Sequence, residues 1–171
     1  DGRVQGVMRL ERVGQLLGGR SVPSAAVSLV QVAADLRGQG LGTILLREAL
    51  AEARAHGVAL STLYPSTVGV YRAAGYEFAG AWTRYRVPLA VIPRGRNVPE
   101  GESWDAATLG EIRGCYQRLA QSSPGMVDRT ERWWHRRVLA AAPDQAVHRY
   151  LVRRGVEVTG YMIYTHEPEA S

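Results

Sequence analysis

Apolar residues recur along this chain with a period that changes from block to block, and each change marks an element. Residues 4–10 read as a strand after an Asp1-Gly2 half-turn, and Gly18-Gly19 reads as the next turn. From Val22 or Ala25 to Ala33 nearly every position is apolar, which predicts a central strand covered on both faces. The stretch Asp35-Leu36-Arg37-Gly38-Gln39-Gly40-Leu41-Gly42 is a tight turn, and residues 43–54 predict a helix. Leu41, Ile44, Leu45, Ala49 and Ala53 fall at helical spacing and are expected to face the sheet. His56-Gly57 ends that helix, with Gly57 as a left-handed cap. Residues 58–63 predict a strand, 68–74 a short helix closed by Gly75, and 76–79 with 82–87 a closing pair of strands.

The pattern then breaks. Residues 90–103 hold Pro93, Gly95, Asn97, Pro99 and Gly101 with few apolar side chains, and read as a linker between a unit at 1–89 and a unit at 104–171. Residues 104–121 predict a helix. Asp128 is expected to cap another that begins at Arg129, with Glu131 three residues on, and that carries Trp133, Trp134, Val138 and Leu139. Residues 147–152 and 156–164 predict two strands joined at Arg153-Arg154-Gly155. Val4-Gln5-Gly6-Val7-Met8 echoes Val158-Thr159-Gly160-Tyr161-Met162, so either the two units are related or three matches in five arose by chance.

Composition narrows the classes. A chain of 171 residues suffices for one ordinary domain or two small ones. It has no lysine; its basic residues are all arginine, and the net charge is +5. The arginines are scattered rather than massed, which argues against a nucleic-acid partner. No apolar run is long enough to cross a bilayer, and no signal segment opens the sequence, so the expected setting is the cytoplasm without a membrane partner. One cysteine, Cys115, allows no internal disulfide or metal cluster, and it sits where a helix would bury it. His56, His135, His148 and His166 show no ligand spacing, so no metal site is expected.

The candidate chemistry lies in the strand, glycine-rich turn and helix between residues 25 and 56. Unpaired N–H groups at a helix start, with the positive end of the helix dipole, make an anion site suited to phosphate or pyrophosphate. Gly38, Gly40 and Gly42 let the backbone approach such a ligand, and Arg37 can add a charge-assisted contact. The spacing Arg-x-x-Gly-x-Gly is neither a dinucleotide fingerprint nor a P-loop. A glycine-rich turn that binds nothing gives the same pattern.

Taken with Tyr64-Pro65-Ser66-Thr67-Val68-Gly69-Val70-Tyr71-Arg72-Ala73-Ala74-Gly75-Tyr76, this turn resembles the acetyl-CoA motif of the GNAT N-acetyltransferases. The match is good from about residue 21 to 87 and weaker around 124–139, and is nearest to the Eis-like (enhanced intracellular survival) branch. The resemblance implies an α/β fold: a mixed central sheet with flanking helices, in a partial tandem arrangement. Set against that fold, the first unit would begin at its third strand, so a fragment of a longer chain is expected. The second unit's helices could cover the first unit's sheet, with Trp133 or Trp134 against residues 25–33.

The resemblance also assigns roles. Val30, Gln31 and Val32 would present main-chain groups to the pantetheine arm and thioester. Arg37, Gly38, Gln39, Gly40, Leu41, Gly42 and Thr43 would hold the pyrophosphate. Ser66 and Thr67 would add cofactor contacts, or simply cap a helix. Tyr71 matches the family's general acid. A phenol titrates near ~10 and a thiol near ~8.5, so a phenol can protonate a leaving thiolate. The other reading of Tyr71 is a ring packing a short helix onto the sheet. Tyr76 fits a packing aromatic, Tyr64 is unassigned, and no general base is identified. Trp133-Trp134 among arginines would suit base stacking, although one buried Trp in a helix is the more ordinary account. The implied activity is transfer of acetyl from acetyl-CoA to a primary amine: an aminoglycoside-like polyamine, a lysine side chain or a small metabolite. The net positive charge lends a polycationic acceptor no support. An inactive CoA-binding or interaction module is the alternative, and a homo-oligomer is compatible with either.

Overall fold

The computed structural model describes residues 2–81, 83–92, 100–140 and 145–165. Two long strands come first, β1 (Gly6–Leu17) and β2 (Arg20–Val32), paired antiparallel. Gly18 and Gly19 both have positive φ (57° and 74°), the backbone twist that a two-residue hairpin needs. The first strand therefore runs well past the expected end at residue 10, because Val13 and Leu16 continue its buried side.

After a single 3-10 turn at Ala34–Leu36 comes α1 (Leu41–Ala55), then β3 (Leu60–Leu63) and α2 (Val68–Ala73). The strand β3 is parallel to β2, with Ser24 opposite Leu60 and Val27 opposite Leu63. With β5 (Val127–Asp128) antiparallel to β1, the first sheet has the order β3-β2-β1-β5. A second sheet has the order β4-β6-β7, made by β4 (Glu102–Ser103), β6 (Val147–Arg154) and β7 (Glu157–Thr165). The pair β6–β7 turns at Gly155, whose φ is 62°. In the echoed segments, Gly6 opens β1 while residues 158–162 lie inside β7.

Several expectations need correction. Residues 76–81 and 83–87 form no strand, and Trp82 lies outside the described residues. Their large apolar side chains stay in water (Phe78 64%, Tyr85 81%, Val87 54% exposed), so the burial that drives strand formation is missing there. Ile44 is 54% exposed, and α1 instead buries Leu46, Ala49 and Ala53. The helix expected from residue 104 starts at Leu109 as α3 (Leu109–Ser122), after a 3-10 turn whose Ala107 N–H is capped by Asp105 Oδ1 at 2.9 Å. Asp128 is in β5 and caps nothing. Thr130 is the cap of α4 (Glu131–Trp133), its Oγ1 accepting from Trp133 N at 3.2 Å, and α4 runs on as a π turn at Trp134–Val138. Of the expected linker, residues 93–99 lie outside the described set and Glu102–Ser103 is β4, pairing with β6.

Two cores result. The larger joins Leu16 of β1 to Trp104, Ile112, Tyr116, Ala120, Trp134, Leu151 and Val158, with Cys115 packed at its margin. The smaller joins Val27, Leu46 and Tyr71. Trp134 thus packs in the cluster that reaches β1 at Leu16, not against the strand at residues 25–33. On that side α3 meets the first sheet at β5, where Tyr116 Oη donates to the Val127 carbonyl at 2.6 Å, and Leu16 N of β1 donates to the Met126 carbonyl at 2.8 Å.

Candidate active site

The far end of β2 is the first part of the site. Its ladder with β3 stops at Val27–Leu63, yet β2 runs on to Val32. Beyond that point its β3-facing edge has no strand partner among the described residues. The divergence coincides with a bulge: Leu29 has φ 55°, and Met8 opposite faces two residues of β2. Val30 packs on the smaller core, Gln31 is exposed, and the Val32 carbonyl accepts from Arg37 Nε at 3.4 Å. An edge of this kind offers main-chain N–H and C=O groups to an extended ligand.

The turn after β2 is the second part. Arg3 Nη2 bonds Asp35 Oδ1 at 2.8 Å, and Gln39 Nε2 bonds the Asp35 carbonyl at 3.4 Å, so Asp35 is held from the segment before β1 and from within the turn. Gly38 (φ 79°) and Gly40 (φ 82°) are left-handed, and α1 begins directly after them at Leu41. The Gly40 carbonyl accepts from Thr43 N and Ile44 N at 3.0 and 3.1 Å. No side chain among the described residues caps this helix and its first turn has no acidic residue, so the N–H groups at its positive end stay open. A Cβ added at Gly38 or Gly40 would meet no atom within 4 Å; it would stand in the space an anion needs. These features fit a pyrophosphate.

The third part is a cleft of about 790 Å³ running from β3 to the segment after α2. Tyr71 lines it from α2, buried against Val27 and Leu46 and edge-on to Tyr76, with ring centroids 6.3 Å apart. Arg47 of α1 donates to the Ala73 carbonyl at 3.3 Å and ties α1 to the end of α2. Ser66 and Thr67 are exposed at the start of α2; Thr67 holds the cap position without a side-chain cap bond. Tyr76 Oη lies 2.5 Å from Ser61 Oγ, which donates to the Ala25 carbonyl at 3.0 Å. Burial pushes the Tyr76 phenol above its ordinary range, partly countered by the Ser61 bond. Arg72 bonds Glu77 at 2.6 Å and holds its carboxyl below the usual range.

Tyr71 and Tyr76 thus share one cleft, while the phosphate turn and the free end of β2 lie at α1. Sequence reading missed the cleft's far wall, Gln15 with Pro124, Gly125 and Met126. Gln15 Nε2 donates to the Gly125 carbonyl at 3.0 Å, a contact across 110 positions that no local pattern announces. The Trp133-Trp134 face is occupied by the chain's own cations. Arg129 sits 3.6 Å from the Tyr116 ring centre and 4.7 Å from that of Trp134, and Arg137 lies over Trp133. His56 bonds the Glu52 carbonyl, His148 stacks on Tyr164, and His166 lies outside the described residues. No group of three metal-ligating side chains occurs among the described residues, and no described helix is long and apolar enough to cross a membrane.

Comparison with known proteins adds to this geometry. The acetyltransferase (GNAT) domain matches residues 1–79, and a second acetyltransferase (GNAT) domain matches 125–171. The chain carries GNAT acetyltransferase domains. Its α/β fold is that of the acyl-CoA N-acyltransferases. A GCN5-related N-acetyltransferase from Anabaena variabilis superposes with TM-score 0.84 at 28% identity, over 98% of this chain and 43% of that one. Eis1 from Mycobacterium abscessus gives 0.67 at 27% identity, over 99% of this chain and 44% of its own. An uncharacterised N-acetyltransferase of Streptomyces coelicolor is 31% identical over 88% of this chain and 39% of its own length. One from Streptomyces avermitilis is 31% identical over 69% of this chain and 30% of its own. The chain therefore spans well under half the length of these bacterial relatives. A fold-level likeness extends to Saccharomyces cerevisiae N-myristoyltransferase with bound myristoyl-CoA, at TM-score 0.60 and 13% identity.

Proposed function

We propose that this GNAT chain transfers acetyl from acetyl-CoA to a primary amine, and that it belongs to the Eis-like branch. The 27% identity to Eis1 across nearly the whole chain supports the branch. In this reading residues 1–89 and 104–171 are parts of two GNAT units, and the enzyme works in the cytoplasm, beside its acetyl-CoA supply.

The open start of α1 carries the proposal, because no side chain among the described residues caps it and no acidic residue stands in its first turn. The turn from Arg37 to Thr43 holds the diphosphate. The free edge at Val30, Gln31 and Val32 takes the pantetheine amides, and Ser66 and Thr67 flank the arm. The amine nitrogen attacks the thioester carbonyl carbon and the C–S bond breaks. The sulfur takes the Tyr71 phenol proton, the amine's surplus proton leaves to water, and water returns a proton to the Tyr71 phenolate to restore the acid.

Calorimetric titration with acetyl-CoA and an acetyl-transfer assay test this together. Binding with turnover supports the transferase. Binding without turnover makes the chain a CoA-binding module, and no binding removes the reading.

A further inference from the structure

We propose that the cleft beside Tyr71 selects an amine carried on an apolar or aromatic body, and that the Tyr76 hydroxyl oxygen accepts the hydrogen bond from that amine. The proposal deepens the acetyl-transfer reading and rests on it for the reaction, though not for the binding.

Proton direction is the first observation. Ser61 has one hydroxyl proton, and it goes to the Ala25 carbonyl at 3.0 Å. The 2.5 Å contact between Ser61 Oγ and Tyr76 Oη is then made by the Tyr76 proton. Tyr76 lines the cleft, and with its proton engaged its oxygen has only lone pairs to offer. Lone pairs recruit a donor such as an amine or ammonium N–H; they repel carboxylate and phosphate.

Charge is the second. Glu77 is the acidic side chain among the described residues lining the cleft. Its carboxylate takes two bonds from Arg72, at 2.6 and 3.1 Å, and one from Phe78 N at 3.2 Å. Among the described lining residues no carboxylate is left over for a second cation. The remaining wall is largely apolar: Pro65, Val68, Phe78, Pro124 and Met126. A polyamine would leave its other ammonium groups unpaired against this lining, whereas a monoamine buries its carbon skeleton there.

The test uses phenethylamine and spermidine as probes on the full chain. Phenethylamine is expected to bind about tenfold tighter than spermidine by calorimetry, and to show the larger kcat/KM with acetyl-CoA. Tyr76→Phe should weaken phenethylamine about tenfold, with the loss in KM rather than kcat and with acetyl-CoA affinity retained. Ser61→Ala frees the Tyr76 proton and should weaken phenethylamine in the same direction, which guards against a Tyr76→Phe protein that fails to fold. Tighter spermidine binding, or phenethylamine binding untouched in both variants, overturns the inference. The direct titrations decide it even without turnover, and a failure of acetyl-CoA to bind is read separately, as failure of the acetyl-transfer reading.

Discussion

The two cores of this molecule are built for different work. The one around Ile112, Tyr116, Trp134 and Leu151 is the larger, and several cations near it are paired. Arg113 meets Glu131, Arg118 meets Glu157, Arg153 meets Glu102 and Glu111, and Arg129 lies on two aromatic rings. The other core, around Val27, Leu46 and Tyr71, is small. Beside it lie an uncapped helix, a strand that outruns its partner, and Arg37 with one long bond to a carbonyl. The larger core supplies rigidity. The smaller one leaves polar backbone for a ligand to complete.

That contrast can be broken in four places, the largest effect first. Trp134→Ala removes the ring shared by Tyr116 and Arg129 and should cost about 3–5 kcal/mol in denaturant unfolding. A loss below that of Leu46→Ala would reverse the ranking of the two cores. Tyr71→Phe should lower turnover about a hundredfold in the acetyl-transfer assay while leaving the melting temperature and acetyl-CoA affinity close to wild type. Unchanged turnover takes Tyr71 out of the chemistry. Gly40→Ala places a Cβ at φ 82° in the open space before α1. It should weaken acetyl-CoA about tenfold and cost about 1 kcal/mol of stability, read by titration and by unfolding.

The smallest effect is a pH effect that the two cores share. Burial holds the phenols of Tyr76 and Tyr116 above their ordinary range, the latter against the pull of Arg129. A folded value above the unfolded one means the neutral form is favoured by folding. The stabilisation is therefore complete below about pH 10 and is lost as pH rises through the folded values. Thermal melting followed into alkali should fall above about pH 10, and fall less steeply in Tyr76→Phe.

What could be read from the sequence was local. The Gly18-Gly19 turn, the glycine-rich loop before α1 and the His56-Gly57 ending each depend on backbone angles that only a few residues reach, so they announce themselves. The Thr130 cap was missed because Asp128 is an equally good capping residue, and only the pairing of β5 with β1 decides between them. The segments expected as strands at 76–79 and 82–87 had the right residues without burial for their apolar side chains, and a strand needs both. Of the candidate site, the turn and Tyr71 were proposed from a motif. The Ser61–Tyr76 link and the wall from Gln15 to Met126 were not, since each joins segments that meet only after the sheet has formed.

One extra amino acid at Leu29 reverses the phase of its strand. Val27, at an odd position, packs with Leu46 of α1; past the bulge it is the even positions that face that way, with Val30 in the smaller core and the Val32 methyl 4.0 Å from where a Gly42 Cβ would lie. A deletion of Leu29 would take out the bulge yet keep that phase, because after Val27 and Ser28 plain alternation puts Val30 inward, Gln31 outward and Val32 inward again. Straightening the strand with Leu29 retained would do the opposite: Gln31 would rotate inward and both valines outward, with every residue proposed to act at that edge still present.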